Sequence, residues 1–259
     1  MTAAVEGSQT FGLPPAKSVL AVCAHPDDES FGLGAALGAF ADSGSVTAVL
    51  CFTCGEASTL GEDPSTLGSA RSAELGKAAA ELGVGYVELF DYPDAELADQ
   101  RLDVLTMHVF EAADRVRADL LLVFDEGGIT GHPDHRRATE AAVACAEISD
   151  LPVLAWALDE AVASSLNGEL GTAFLGRPSE QLDFGVLVDR TRQYRAIACH
   201  ISQSADNPVL WRRLALQGDE EAFRWLRGPE RQASRADTGA SVLVQMRPSE
   251  KGEIYGTGT

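Results

Sequence analysis

The stretch Ser18–Glu29 reads SVLAVCAHPDDE. Its first seven residues are short, apolar and rich in branched side chains, as in a strand buried on both faces. It then turns abruptly to an imidazole, a proline and three acids. Pro26 and the acidic residues suit a helix N-terminus, so the stretch predicts a strand running straight into a helix. Capping accounts for one carboxylate at such a junction, but not for Asp27, Asp28 and Glu29 together beside His25.

The same alternation continues downstream. Ser30 to Ala41 reads as a closely packed helix and Val46 to Thr53 (VTAVLCFT) as a second buried strand. Ala70 to Leu82 is helical and Tyr86 to Phe90 a third strand. Leu102 to Arg117 is an amphipathic helix, Asp119 to Phe124 a fourth strand, Asp134 to Ala146 a helix and Pro152 to Leu158 a fifth strand. Strand and helix in turn predict an α/β fold, a Rossmann-like doubly wound, mostly parallel sheet. Ligands of such sheets sit at the carboxyl ends of the strands. The segments His25 to Glu29, Gly55 to Asp63, Asp91 to Glu96 and Asp125 to His135 therefore carry the functional expectation.

After Asp159 the alternation weakens. A turn-rich region, Asn167 to Ser179, leads to Asp183 to Val188, then to helical patterns at Arg190 to His200 and Pro208 to Leu226. Gly228 to Gly239 reads as polar and mobile. No repeat or long linker interrupts the chain. The expectation is one domain over 1–259, with a core at about 18–160 and lid and edge elements from about 161 to 259 that cover the pocket.

The second chemical segment is Gly131-His132-Pro133-Asp134-His135. Three of the five histidines fall in these two segments. A doubly wound sheet brings the strands before them together. Two imidazoles and a carboxylate in one crevice make a zinc triad with an open position for water. Iron, cobalt or manganese also suit such donors.

AHPDDE at 24–29 paired with GHPDH at 131–135 resembles the LmbE-like, or PIG-L-like, N-acetylglucosaminyl deacetylase family over at least Val19 to Ala146. The family's Rossmann-like fold agrees with the alternation. The resemblance implies a zinc-dependent hydrolase that cleaves the amide of an N-acetylglucosaminyl or related N-acyl amino-sugar conjugate. It implies His25, Asp28 and His135 as metal ligands and Asp27 as general base. His132 would stabilise the oxyanion and assist the leaving amine, steadied by Asp134, with Glu29 in support. Arg71, paired with Glu74 in an Arg-x-x-Glu element, would reach substrate hydroxyls, and Asp94 would contact the sugar. Glu56, kept in a loop that otherwise diverges (CGEASTLGEDPS), and His200, in CHISQ at 199–203, complete the substrate-side set. The alternatives are an amidase of the mycothiol-conjugate type, acting on a larger acyl group, and a non-catalytic sugar- or metabolite-binding protein of the same fold.

Composition narrows the classes. A net charge of −19 disfavours nucleic acid and anionic lipid as partners. Five scattered cysteines do not form a secreted disulfide framework. No apolar run approaches a membrane span of ~20 residues, and no signal peptide is visible, so a cytoplasmic protein is expected. A homo-oligomer is compatible with these features. Gly32-Leu33-Gly34 through Gly38 resembles a dinucleotide turn but stands too far from the strand; these glycines are read as packing the first helix on the sheet. Cys51 and Cys54 are read as one buried and one pocket-wall thiol. Trp211, Phe223, Trp225 and Leu226 are read as core or lid packing, and Arg190, Arg192 and Arg195 as a solvated helix face.

Overall fold

In the computed structural model, residues 12–60 and 64–229 are described. The strands are β1 (Ser18–Cys23), β2 (Val46–Thr53), β3 (Tyr86–Tyr92), β4 (Leu120–Phe124), β5 (Val153–Asp159), β6 (Gly176–Arg177), β7 (Phe184–Leu187) and β8 (Glu220–Arg227). The helices are α1 (Asp28–Phe31), α2 (Gly34–Asp42), α3 (Pro64–Leu82), α4 (Leu102–Val116), α5 (Gly128–Gly131), α6 (Pro133–Ser149), α7 (Glu160–Leu170), α8 (Thr191–Cys199), α9 (Ile201–Ser204) and α10 (Pro208–Gln217). One sheet runs β3-β2-β1-β4-β5-β8-β7, with β6 beside β5. Pairings from β3 through β5 are parallel, whereas β8 lies antiparallel between β5 and β7.

Strand residues alternate between two cores, which is what a doubly wound sheet requires. Val19, Ala21 and Cys23 of β1 join Leu37 and Phe40 of α2 and Leu75 of α3 on one face. Leu20 and Val22 join Leu105 and Val109 of α4 and Ala138 and Ala142 of α6 on the other. β1 pairs with β2 from Ser18↔Val46 to Cys23↔Cys51 and with β4 at Val19↔Leu120. The ends carrying the two His-Pro-Asp segments are thus neighbours. Among the described residues no helix is long and apolar enough to cross a membrane.

Several boundaries differ from the sequence reading, each for a local reason. The helix expected at 30–41 is broken into α1 and α2, because the amides of Gly32 and Leu33 both return to the Asp28 carbonyl. A Cβ on Gly32 would lie 2.2 Å from the Phe124 ring, so the close approach to the sheet needs glycine there. Gly34 and Gly38 instead face Gln193 and Arg192 of α8. α7 falls partly where turns were expected; Asp159 caps it through the Ala161 amide at 2.8 Å, and Gly171 ends it in the left-handed region.

The helical pattern expected at 208–226 holds only to Gln217. Gly218, at φ 58° and ψ −132°, turns the chain into β8, where Phe223 is fully buried against the sheet core. Arg190 is not on a solvated face: it is 2% exposed and paired with Glu221 at 2.5 Å. Arg192 and Arg195 are more exposed and pair with Asp42 and Glu81. Of the expected mobile stretch 228–239, the part beyond 229 lies outside the described residues.

Candidate active site

Where β1 ends, Asp27 adopts φ 122°, a conformation that L-residues rarely accept. The Glu29 carboxylate holds it there by accepting the Asp27 amide at 2.9 Å. This strained corner separates two neighbouring acids. Asp28 turns inward and accepts the amides of Ala24 and His25 at 3.0 and 2.9 Å. Asp27 faces a cavity of ≈ 460 Å³ that also exposes His25, Asp28, His132 and His135. Ala95 and Ile129, two more non-glycine residues with positive φ, line the same cavity. Strain gathers at this site, as it commonly does where function over-determines the backbone.

At the end of β4, His132 caps α6: its Nδ1 accepts the Asp134 amide at 3.2 Å. Asp134 is fully buried and accepts the amides of Ala95 and Leu97 at 2.8 and 3.1 Å. Its Oδ2 lies 3.3 Å from His25 Nε2, and Asp94 Oδ1 is 3.0 Å from the same nitrogen. His135 donates from Nδ1 to the Gly128 carbonyl at 3.1 Å.

These bonds fix both tautomers. Nε2 of His25 carries hydrogen toward the carboxylates, leaving a lone pair on Nδ1. Nδ1 of His135 carries hydrogen toward Gly128, leaving a lone pair on Nε2. The two lone-pair nitrogens stand 3.1 Å apart, with Asp28 Oδ1 3.1 Å from His135 Nε2 and Asp28 Oδ2 3.9 Å from His25 Nδ1. Two ring nitrogens and a carboxylate oxygen converging in this way could hold a metal ion. Donors ~2.0–2.2 Å from a tetrahedral zinc stand ~3.4 Å from one another, so the set fits. The carboxylates behind His25 and the carbonyl behind His135 supply the outer contacts that orient metal-binding imidazoles. His25, His132 and Asp134 also come within reach of a common point. There, however, the Nδ1 of His132 is already engaged by an amide and Asp134 by two amides and His25, so the first triad is the better metal site.

Electrostatics separates the acids. Burial pushes Asp27 up, Arg71 opposes this and Asp28 adds to it, leaving the carboxyl at about 6. Burial also raises Asp28, but His135 and His25 outweigh it and hold the group well below the usual carboxylate range. For His25 burial acts downward, yet hydrogen bonds to Asp134 and Asp94 and the Asp28 charge raise it to about 10. A proton can therefore fill the place of a cation. Burial, with His135 and His25 nearby, lowers His132.

The remaining expected residues divide. Arg71 lines the cavity, but its guanidinium is engaged: it donates to Gly55 O and Pro26 O at 2.6 Å each and to Asp27 at 2.9 Å. Gly55, at φ 68°, has no room for a Cβ against that guanidinium. Asp94 also lines the cavity. Glu56 is exposed and accepts the Asp94 amide at 2.9 Å, so it supports Asp94 without forming the wall. His200 is placed behind the wall, fully buried with Nε2 2.6 Å from Glu29. Glu74 holds the 199–203 segment by accepting from the Ser202 amide and hydroxyl at 3.0 and 2.7 Å. Cys54 is not a pocket-wall thiol: its Sγ turns to the Phe90 carbonyl, and Cys51 is buried in β2.

The sequence reading missed the far wall. Phe31, Phe124, Trp156, Phe174, Leu210 and Arg213 all line the cavity. Four of them fall within apolar patterns that look like ordinary core, and α10 carried no motif to mark it.

A doubly wound sheet here gathers two imidazoles and a carboxylate at a strand-end cavity, a candidate metal site in an α/β protein. Residues 20–146 match the PIG-L family, described as GlcNAc-PI de-N-acetylase. The chain is 30% identical over 161 residues to a 1D-myo-inositol 2-acetamido-2-deoxy-alpha-D-glucopyranoside deacetylase of Kineococcus radiotolerans, covering 49% of this chain and 44% of that protein. It spans about half the length of the curated relatives it matches. Its fold is shared with N,N'-diacetylchitobiose deacetylase from Pyrococcus horikoshii (TM-score 0.60, 22% identity, 82% and 85% covered). It is also shared with GalB, a 4-carboxy-2-hydroxymuconate hydratase from Pseudomonas putida (TM-score 0.64, 19% identity, 81% and 96% covered). A hydratase among these neighbours means that the fold by itself does not fix the reaction.

Proposed function

We propose that the protein hydrolyses the amide of an N-acetylglucosaminyl or related N-acyl amino-sugar conjugate. The observation that carries this reading is the convergence of ring nitrogens of His25 and His135 with the Asp28 carboxylate, beside an Asp27 carboxyl raised to about 6. His25, Asp28 and His135 would hold a zinc ion, which supplies polarisation of the amide carbonyl and acidification of water.

The chain's own residues then have defined work. Asp27 takes a proton from the attacking water and returns it to the departing nitrogen as the C–N bond breaks, leaving a carboxylic acid and a free amine. Arg71, bonded to Asp27 and to two carbonyls, fixes the direction of that carboxyl. His132 accepts an amide at Nδ1, so its neutral ring donates from Nε2 to the oxyanion developing in the cavity. Asp94 and the loop at Ala57 to Leu60 form a polar side suited to sugar hydroxyls. The apolar wall opposite favours a second reading, in which the acyl group is larger than acetyl.

The test is metal content of the purified protein, together with amine release from a panel of N-acyl glucosamines before and after chelation. About one metal per chain with chelator-sensitive release supports the hydrolase. Absence of metal even after adding zinc would sink it and leave the binding-protein alternative.

A further inference from the structure

Three arginines in the described part of the molecule are almost completely buried: Arg71, Arg190 and Arg213, at 3, 2 and 4% exposure. Arg71 is paired with Asp27 at 2.9 Å and Arg190 with Glu221 at 2.5 Å. Arg213 has no ion pair among the described residues. Its Nη1 donates to the Gln217 side-chain oxygen and its Nη2 to the Phe31 carbonyl, both at 2.5 Å and both neutral acceptors. The guanidinium lies 5.2 Å from the Trp156 ring centroid. Glu221, the carboxylate whose charge acts on it, is already engaged by Arg190, the Trp156 indole and Gln217. Two buried arginines thus share one buried carboxylate, and a positive charge is left over. An uncompensated buried charge is costly, and here it lines the cavity. Burial lowers the Arg213 guanidinium to about 10, which still leaves it charged at neutral pH.

The position of that charge is defined by a row of rings. His135 packs on Phe124 at 5.0 Å, Phe124 on Trp156 at 5.4 Å, and Trp156 on Arg213. All four residues line the cavity. The polar side of the cavity lies past β2 and β3, the metal triad at the ends of β1 and β4, and this apolar row leads away past β4 and β5.

We infer that Arg213 is a specificity-determining residue that binds an anionic group of the substrate, joined through an apolar segment to the amide cleaved at the His25–Asp28–His135 triad. The inference rests on the hydrolase reading for the position of the amide, but not for the anion contact itself. The anion, a carboxylate or phosphate, is carried either by the acyl chain or by the group attached to the sugar.

Binding to the full-length protein stripped of metal separates these sources without requiring turnover. Calorimetry would compare N-acetylglucosamine, N-glutarylglucosamine and N-acetylglucosamine 1-phosphate. The expected result is that one acidic ligand binds at least ~10-fold tighter than the neutral one, a single charge-assisted contact being worth that much or more. A glutaryl preference places the anion on the acyl chain, and a phosphate preference places it on the sugar's substituent. Arg213→Met should erase the preference, whereas Arg213→Lys, which keeps the charge, should retain part of it. Equal binding of all three ligands to the wild type overturns the inference, even if Arg213→Met does not fold. So does an equal loss on neutral and acidic ligands in Arg213→Met. Amine release by the zinc-loaded protein is read separately. If none of the three is hydrolysed, the hydrolase reading is in difficulty while the anion site still stands or falls by the binding data.

Discussion

The chain uses the tripeptide His-Pro-Asp twice, after adjacent strands, and the aspartates of the two copies are placed differently. In His25-Pro26-Asp27 the histidine is buried beside a second imidazole, while the aspartate faces the cavity on a strained backbone. In His132-Pro133-Asp134 the histidine lines the cavity, while the aspartate is fully buried beneath His25. What differs is where the helix begins. His132 is itself the cap of α6, whereas α1 starts three residues after His25, with Asp27 as its cap. Both histidines line the cavity, and with a shift of two residues in the helix start only the first copy's aspartate does so as well. Identity of motif therefore does not carry identity of role.

This difference can be probed by substitution. The largest effect is expected from His135→Ala, which should lose both the metal and turnover, read by metal analysis and amine release. Asp27→Asn should keep its metal yet lower kcat by ~10²–10⁴-fold, the usual range for removing a general base; near-native turnover would show that the cavity-facing aspartate is not the base. Asp134→Ala, at the equivalent tripeptide position, should act through His25 instead. It should weaken metal affinity ~10–100-fold, measured by chelator competition, while metal-saturated turnover falls far less than in Asp27→Asn.

The smallest effect is in pH dependence. The base must be ionised to take a proton, and Asp27 becomes protonated as pH falls through about 6. The rate profile, kcat/KM against pH, should therefore drop on the acid side below about 6 and be flat there for Asp27→Asn. A wild-type profile that stays level down to pH ~4, the ordinary carboxylate value, would remove the burial-raised carboxyl from the mechanism.

The parallel core and the convergence of His25, Asp28 and His135 were legible because their signals are local. A run such as SVLAVC can be buried on both faces only in a covered sheet, and acids in excess of capping mark the strand end. The Arg213 wall was not legible. Phe124 and Trp156 sit in patterns indistinguishable from core, and the helix-to-strand change at Gly218 depends on a free edge of β5 for β8 to join. Arg190 likewise looked solvated beside Arg192 and Arg195 until β8 brought Glu221 to it.

By itself, then, the sequence determined the doubly wound frame and brought two imidazoles and a carboxylate to adjacent strand ends, since strand periodicity and parallel pairing suffice for both. Only the tertiary structure decided which aspartate meets the cavity and which supports His25, which arginines are paired, and which buried charge is left facing the ligand. Those outcomes depend on a helix start, a strained φ and a distant strand's arrival, and none of the three is written in any window of neighbouring residues.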